Sequence, residues 1–296
     1  MILRSGQVPT RPTNRPGTEL AAASVARVFS RRSVWVLWLP LALSAQWPRY
    51  QTGPVTDLGA AAPRTVGNKP DFTGIWRNSL PTRSPDAFPA PLRTPSATGI
   101  PTGLEQFGDI SAGLDDGLPL APWAADLKRQ RVADLSKDNP DAHCLPMGNM
   151  QFHTHPQPRK MIQTSDLLVI LYEGNAGIRQ IFLDGRPLPP SDVEPWWYGY
   201  STGRWEGDTL VVETSGFRDG GWLDINGSPL TDAAKMTERF RRVNYGNLEI
   251  EITVDDPKAY TRPWTVTVKQ TITPDDELIE FICQENERDA PHLVGN

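Results

Sequence analysis

Hydrophobic and polar residues alternate most regularly in the last part of the chain. From Leu248 to Val254 every second residue is aliphatic, and the residues between them are Glu249, Glu251 and Thr253. Residues 264–272 repeat this alternation with a tryptophan and two valines. Because successive side chains of a strand point to opposite faces, the pattern predicts two β-strands that each bury one face.

The clearest hairpin is predicted at residues 198–217. Its first half is rich in aromatic and hydroxyl side chains, and its second half contains adjacent valines, as strands prefer. Gly207 in the turn between them can adopt a positive φ without steric cost. Further strands are predicted at Trp76 and at residues 160–164, 167–173, 178–183, 235–243 and 277–284. About ten short strands indicate an all-β fold, either an antiparallel up-and-down (lipocalin-like) barrel or a sandwich.

The N-terminal part of the chain predicts export. Residues 1–45 end in a short apolar run that follows Arg31 and Arg32 and stops among small residues at Ala45, as in a secretory signal peptide with an extended N-terminus. The run is shorter than the ~20 residues that span a bilayer, so we expect no stable membrane span after cleavage. The alternative is a buried helix or an uncleaved anchor. We expect a periplasmic or secreted protein.

The remaining chain is predicted to be one linker and one domain. Residues 46–69 are rich in Gly, Pro and Ala and predict a disordered linker. Residues 70–296 form the barrel domain, in which residues 79–158 are mostly an irregular, Pro-rich excursion. The predicted helix at residues 122–137 caps the barrel mouth or covers a sheet edge. Its apolar side is formed by Trp123, Leu127, Val132 and Leu135.

Composition and charge narrow the function classes. The 296 residues suffice for one sizeable core. A net charge of -5, with scattered basic residues, argues against a general nucleic-acid binder. The sequence has no P-loop, no Rossmann fingerprint and none of the common hydrolase motifs, so we expect no nucleotide cofactor.

Cys144 and Cys283 are the only cysteines of the chain. In an exported protein, such a pair most simply forms one disulfide. The alternative is a Cys144 nucleophile activated by His143 or His155.

Three of the four histidines lie close together in the sequence, at His143, His153 and His155. In a strand, a His-x-His spacing puts both rings on one face, which is an arrangement that divalent metal sites use. The alternative is three histidines in surface loops, because prolines on both sides make this segment irregular.

Carboxylates on predicted inward faces are the main catalytic candidates. Glu238 shares its face with Met236 and Phe240, and Glu173 continues the alternation of residues 167–171. An inward carboxylate needs a partner, and the nearest arginines by strand position are Arg179, Arg204 and Arg239. Such a set could bind a polar ligand group, or it could act as a general base with an arginine that stabilises an oxyanion. The alternative is a structural ion-pair network.

Aromatic residues are concentrated between residues 196 and 205. Trp197, Tyr200 and Trp205 are predicted to form the walls of a ligand site, because aromatic faces stack on sugars or aromatic ligands. Packing in the core is the alternative fate of these side chains.

Five segments, taken in order, resemble a set that recurs in exported proteins of soil and aquatic bacteria, an uncharacterised family. They are residues 71–76 (DFTGIW), 144–146 (CLP), 184–187 (DGRP), 203–212 (GRWEGDTLVV) and 237–240 (TERF). The resemblance covers roughly residue 70 to the end and implies export and a β-rich structure, but no activity. The family often has histidines where this chain has Leu188 and residues 228–230, so any chemistry that depends on those histidines is in doubt here.

These observations predict an exported small-molecule-binding β-barrel for a partly apolar or aromatic ligand. Trp197, Tyr200 and Trp205 would form the walls, while Arg179, Arg239 and Glu238 would hold polar groups. The alternative is a cofactor-independent hydrolase, lyase or isomerase that uses the same Glu/Arg set, and a histidine-bound metal is a variant of this alternative. A third reading is a structural domain of the cell envelope whose aromatic residues are only core.

Overall fold

Nine strands pair edge to edge into a closed barrel. The structure, a computed structural model, describes residues 57–79, 110–114, 116–283 and 285. The barrel strands are β1 Gly74–Asn78, β2 Arg159–Gln163, β3 Leu167–Tyr172, β4 Ile178–Phe182, β5 Tyr200–Glu206, β6 Thr209–Ser215, β9 Lys235–Arg242, β10 Asn247–Asp255 and β11 Trp264–Ile272. Around the barrel they pair in the order β1-β11-β10-β9-β6-β5-β4-β3-β2. A separate two-stranded ribbon joins β7 Gly221–Trp222 to β8 Pro229–Leu230. The predicted all-β barrel is therefore confirmed.

One seam of the barrel departs from the predicted up-and-down arrangement. β4 and β5 pair in parallel, through Ile181 with Ser201 and Phe182 with Thr202. The other barrel pairings of the described residues are antiparallel. The reason is that residues 183–199 do not turn back tightly after β4, as a hairpin would, but carry the chain to the other end of the barrel before β5 begins.

The predicted closing strand at residues 277–284 is wrong for the residues that the structure describes there. Residues 277–282 have no strand partner. The barrel is already closed where β1 pairs with both β2 and β11, so no free edge is left for a tenth strand. The segment instead lies outside the barrel, where the Ile279 amide donates to Glu173 Oε2 at 3.1 Å.

The alternation of β10 decides which residues fill the barrel. Leu248, Ile250, Ile252 and Val254 are fully buried, and Glu251 on the opposite face is exposed. The same period holds in β9, where Met236, Glu238 and Phe240 all face inward. The interior is therefore packed with side chains, and one of them is a carboxylate.

One end of the barrel is covered by the residues that precede β1. Phe72 stacks on the inward Trp205 with 5.7 Å between ring centroids. Arg64 pairs with Asp208 in the β5–β6 turn at 2.5 Å, and the Tyr245 amide donates to the Ala60 carbonyl at 2.7 Å. Residues 57–69 are thus held against the barrel, and the predicted linker 46–69 is too long, because these contacts order its second half.

The predicted helix is confirmed as α1, Pro122–Ala133, but it is shorter than residues 122–137. It ends because Leu135 and Ser136 adopt left-handed φ angles of 56° and 57°. Its predicted apolar side is wrong, since Ala124 is the buried residue of the helix while Trp123 is 46% exposed.

A second helix, α2 Asn149–Thr154, was not expected in the Pro-rich excursion. All six of its residues are buried. Gly148 allows the helix to pack in this position, because a Cβ at residue 148 would lie 1.8 Å from the Trp222 carbonyl oxygen. Short 3-10 helices occur at Ile110–Gly113, Pro140–His143 and Gly174–Ala176. In the part of the chain that the structure describes, every helix is too short or too polar to cross a membrane.

The predicted disulfide between Cys144 and Cys283 is present. It ties the segment that follows β11 to the loop before α2, across a sequence separation of 139 residues. The predicted signal peptide (1–45), the first part of the predicted linker (46–56) and residues 80–109 of the predicted excursion lie outside the described residues.

Candidate functional site

A belt of polar side chains lies inside the otherwise apolar barrel. Five strands contribute one residue each, and helix α2 contributes the sixth. The six residues, here called the polar belt, are His153, Arg179, Ser201, Thr214, Glu238 and Gln270, and all of them are buried.

Glu238 is the centre of the polar belt. Its Oε1 atom accepts from Arg179 Nη1 at 3.0 Å and lies 2.8 Å from His153 Nε2. Its Oε2 atom accepts from Arg179 Nη2. A buried carboxylate is stable only when its charge and lone pairs are matched, and here a guanidinium and an imidazole do this.

The protonation states follow from these contacts. Burial acts to raise the pKa of Glu238, but Arg179 and His153 outweigh it and lower that pKa to about 2. Burial lowers the pKa of His153, so its ring is neutral at neutral pH. Because the ionised Glu238 can only accept, His153 Nε2 carries the proton and donates it to the carboxylate. The His153 Nδ1 atom is then an acceptor and faces Gln270 Nε2 at 3.4 Å.

Arg179 extends the polar belt to two hydroxyl groups. Its Nη2 atom donates to Ser201 Oγ and to Thr214 Oγ1, each at 3.1 Å. The two hydroxyl oxygens are themselves 2.9 Å apart. Ser201 and Thr214 lie opposite each other in the β5–β6 ladder, so the sheet register itself positions the two groups that hold Arg179.

Helix α2 is fixed at its C-terminal end by Arg159. The Arg159 guanidinium donates to the carbonyl oxygens of His153 and His155, at 3.0 and 2.9 Å. A cation is favourable at this position, because the carbonyl groups at a helix C-terminus carry partial negative charge. Phe152 stacks on Tyr172 with 4.0 Å between ring centroids, which fixes the helix against β3.

An open groove of about 680 Å³ lies beside the polar belt. It is formed between the loop that leads to β5 and the adjacent ends of β6 and β9. Its lining consists of Leu188, Pro189, Pro190, Ser191, Val193 and Pro195 together with residues 213–217 and 232–237. Two lining residues also contact the interior: Thr214 belongs to the polar belt, and Met236 Sδ accepts from Asn149 of α2 at 3.9 Å.

The predicted catalytic set is only partly brought together. Glu238 faces inward and meets Arg179, as expected. Arg239 lies on the outside of β9 and pairs with Glu206 at 3.1 Å. The inward orientation predicted for Glu173 is wrong, because β3 buries Leu168, Ile170 and Tyr172 and turns the other face outward. β3 is apolar on both faces, so its alternation cannot distinguish them.

The predicted aromatic walls do not form one site. Tyr200 lies on the outside of β5, stacked on Phe182 at 5.1 Å. Trp197 also lies apart from the groove, with the Arg218 guanidinium 5.2 Å from its ring. Trp205 faces inward but packs under Phe72. Tyr200 and Trp205 are five positions apart in one strand, and an odd separation puts them on opposite faces.

Arg204, the remaining predicted ligand-binding residue, lies on the outer surface of β5. It pairs with Glu206 at 3.1 Å and with Glu213 at 3.2 Å. It is separated from Arg179 by the barrel wall.

The predicted histidine metal cluster is wrong. His153 and His155 lie in and directly after a helix and not in a strand, so their rings do not share a face. His143 is exposed and its Nε2 atom lies 2.9 Å from the Lys137 carbonyl oxygen. Within the described ranges, no group of three or more His, Cys, Asp or Glu side chains could hold a metal ion.

Gln270, Ser201 and Thr214 were not expected at the site. The signal for Gln270 was available, because it continues the inward series of Trp264, Val266 and Val268 as a polar residue. The role of His153 had no local signal, since it depends on a helix that packs across the barrel onto β9.

Comparison with known proteins assigns no family to the chain. No family model matches it, and no curated protein matches it. Its function therefore has to be inferred from its own geometry.

Proposed function

We propose that this chain is an exported protein that binds a small, partly apolar molecule in the groove beside the polar belt. The observation that carries this proposal is a groove of about 680 Å³ that shares Thr214 and Met236 with the fixed interior of the barrel. Ligand pockets for drug-sized molecules occupy roughly 300–1,000 Å³.

The chemistry of the lining supports a ligand of mixed polarity. Leucine, valine and proline side chains supply apolar contact area, and serine and threonine hydroxyls supply hydrogen bonds. Pockets with mostly apolar walls and a few polar groups orient a ligand while burying most of its surface.

The floor of the groove is held rigidly. Thr214 is fixed through Arg179, and Met236 is fixed between the barrel wall and Asn149. A site whose groups are already ordered loses less conformational entropy when it binds, so pre-organisation favours affinity.

The disulfide supports the exported location. Disulfides persist in oxidising compartments outside the cytosol, and the Cys144–Cys283 bond agrees with the signal peptide predicted at residues 1–45.

A second candidate is a cofactor-independent hydrolase, lyase or isomerase, favoured by the hydrogen bond between His153 and Glu238. The roles would differ from those predicted from the sequence. A carboxylate with a pKa of about 2 is a weak base at neutral pH, so Glu238 would orient the imidazole and His153 would be the base. The burial of both residues favours the binding protein over the enzyme, because substrate would reach them only after α2 moves.

A titration with Nile red, an uncharged dye whose emission changes in apolar surroundings, tests the proposal. Ser191→Trp puts a large side chain into the groove from an exposed loop position. Thr267→Trp is the matched control on the exposed face of β11, where a strand accepts an aromatic residue. We expect saturable binding by the wild type and the control and a loss of at least about tenfold in affinity in Ser191→Trp. Equal binding by all three proteins would refute the groove as the site.

A further inference from the structure

A second groove lies on the outside of the barrel and is here called the outer groove. It is open, has a volume of about 380 Å³, and runs between residues 278–282, which follow β11, and the outer face of β3 and β4. Leu171 and Ile178, which lie directly opposite each other in the β3–β4 ladder, belong to its lining. The outer groove shares no lining residue with the groove beside the polar belt.

The outer groove presents apolar side chains to solvent. Ile178 is 59% exposed, Ile279 is 69% exposed and Ile282 is 62% exposed. Leu278 and Phe281 are half-buried in the same lining. A contiguous apolar patch that stays exposed on a protein surface commonly marks a binding site.

The wall formed by residues 278–282 is fixed at two points. The Ile279 amide donates to Glu173 Oε2 at 3.1 Å. The disulfide between Cys144 and Cys283 ties down the residue that directly follows the wall. The outer groove is therefore formed before a ligand arrives, which lowers the entropic cost of binding.

The charged residues in the lining of the outer groove are two carboxylates, Glu173 and Glu280. Among the residues that the structure describes, neither carboxylate has an ion-pair partner. Lys160 lies outside this lining and pairs with Glu277 at 3.4 Å. The outer groove thus combines exposed apolar surface with negative charge.

We infer that the outer groove is a second ligand site and that it takes a small organic cation, namely an ammonium group on an apolar body. The apolar body packs on the exposed isoleucines, and the ammonium group lies beside Glu173 and Glu280. An anion is disfavoured, because both carboxylates repel it and it loses hydration without gaining a counter-charge. An uncharged ligand makes the apolar contacts but gains no attraction from the carboxylates.

Methyl signals of labelled isoleucine test this site during titration with three molecules of one shape. The molecules are naphthalene carrying an aminomethyl, a hydroxymethyl or a carboxylate group at the same ring position. Ile279 and Ile282 report on the outer groove and are assigned with single Ile→Val variants, while Ile162, 41% exposed on β2 outside this lining, is the control. We expect the ammonium compound to shift the Ile279 and Ile282 signals saturably at neutral pH and low salt. It should bind about fivefold more tightly than the alcohol.

Removal of the two charges separates charge recognition from packing. In the double variant Glu173→Gln, Glu280→Gln, the ammonium compound should bind about fivefold more weakly, while the alcohol binds as to the wild type. The shape of the groove is kept, because the glutamine carbonyl at residue 173 can still accept the Ile279 amide. Glu251→Gln removes a carboxylate on the exposed face of β10, outside the outer groove, and should leave both affinities unchanged. Added salt should weaken the ammonium compound and not the alcohol.

Three results on affinity would overturn the inference: equal binding of the ammonium compound and the alcohol, tightest binding of the carboxylate, or unchanged ammonium affinity in the double variant. A shift at Ile162 with none at Ile279 and Ile282 would also overturn it. Absence of any isoleucine shift, with Nile red still bound by the wild type and lost in Ser191→Trp, would overturn the second site and leave the proposed function intact.

Discussion

His153 on α2 and Glu238 on β9 are joined by a 2.8 Å hydrogen bond between the imidazole Nε2 and the carboxylate Oε1. The two residues are 85 positions apart, and neither is exposed to solvent. The pair therefore links the helix that covers the barrel to the wall of the barrel, at the same carboxylate that neutralises Arg179.

Replacing Glu238 by Gln should destabilise the protein by about 3–5 kcal/mol, because the buried Arg179 charge then loses its partner. Urea unfolding followed by circular dichroism measures this loss. Glu251→Gln makes the same chemical change on the exposed face of β10 and should stay within about 0.5 kcal/mol of wild type. A loss below about 1 kcal/mol for Glu238→Gln would contradict a structural role of the polar belt.

The free energy of unfolding should fall as the pH falls from about 6.5 to 2. Burial lowers the pKa of His155 to about 4, so the folded state binds fewer protons than the unfolded state below the ordinary pKa of about 6.5. The stability associated with neutral His155 is fully present above that value and is lost progressively toward pH 4. Glu238, with its pKa of about 2, adds a second loss between about 4.5 and 2.

Urea unfolding at a series of pH values tests this dependence. His155→Gln removes one titrating ring and should make the upper part of the profile shallower, by about 3 kcal/mol in total between pH 6.5 and 4. The slope that remains there belongs to His153, whose pKa burial also lowers. An unchanged slope in that variant would show that His155 is not the responsible group.

The Cys144–Cys283 disulfide should stabilise the protein by roughly 4–5 kcal/mol, because it closes a loop of 139 residues in the unfolded chain. The comparison is between wild type and the double variant Cys144→Ser, Cys283→Ser, both under oxidising conditions. The double variant should unfold at lower urea concentration, and a reductant should shift only the wild type. Identical midpoints for the two proteins would mean that the bond adds no stability.

Gly148→Ala should prevent α2 from packing in its observed position. The added Cβ would meet the backbone oxygen of Trp222 at 1.8 Å, and backbone cannot move aside as a flexible side chain can. We expect a destabilisation of about 3 kcal/mol or more. Gly67→Ala is the matched control, because the nearest atom to its added Cβ is 3.8 Å away, and it should be neutral within about 0.5 kcal/mol. Wild-type stability of Gly148→Ala would contradict the close contact.

The sequence predicts the barrel well where one face of a strand is polar. The alternation in β10 and the inward position of Glu238 in β9 both hold, because a period of two is a local property. The alternation does not distinguish the two faces of a strand when both are apolar. This is the case in β3, and the inward position predicted for Glu173 is therefore wrong. The parallel β4–β5 seam depends on the path of a long loop, which no local pattern encodes.

The site could be predicted only in part for the same reason. The pairing of Glu238 with Arg179 was expected, because an inward carboxylate requires a cation. The position of His153 on a buried helix depends on contacts with β9, β11 and Trp222, all of which are far from it in the sequence. The chemistry of Tyr200 predicts a place in the ligand site, but the strand period turns it away from Trp205.

The most direct test of ligand binding in the groove is the spectrum of methyl-labelled valine during titration with Nile red. Val193 lines the groove and is 38% exposed, whereas Val243 is 45% exposed and lies outside the groove lining. We expect the Val193 methyl signals, assigned with Val193→Ala, to shift saturably while the Val243 signals stay in place. A saturable shift at Val243 with none at Val193, or no shift at any valine at saturating dye, would contradict binding in this groove.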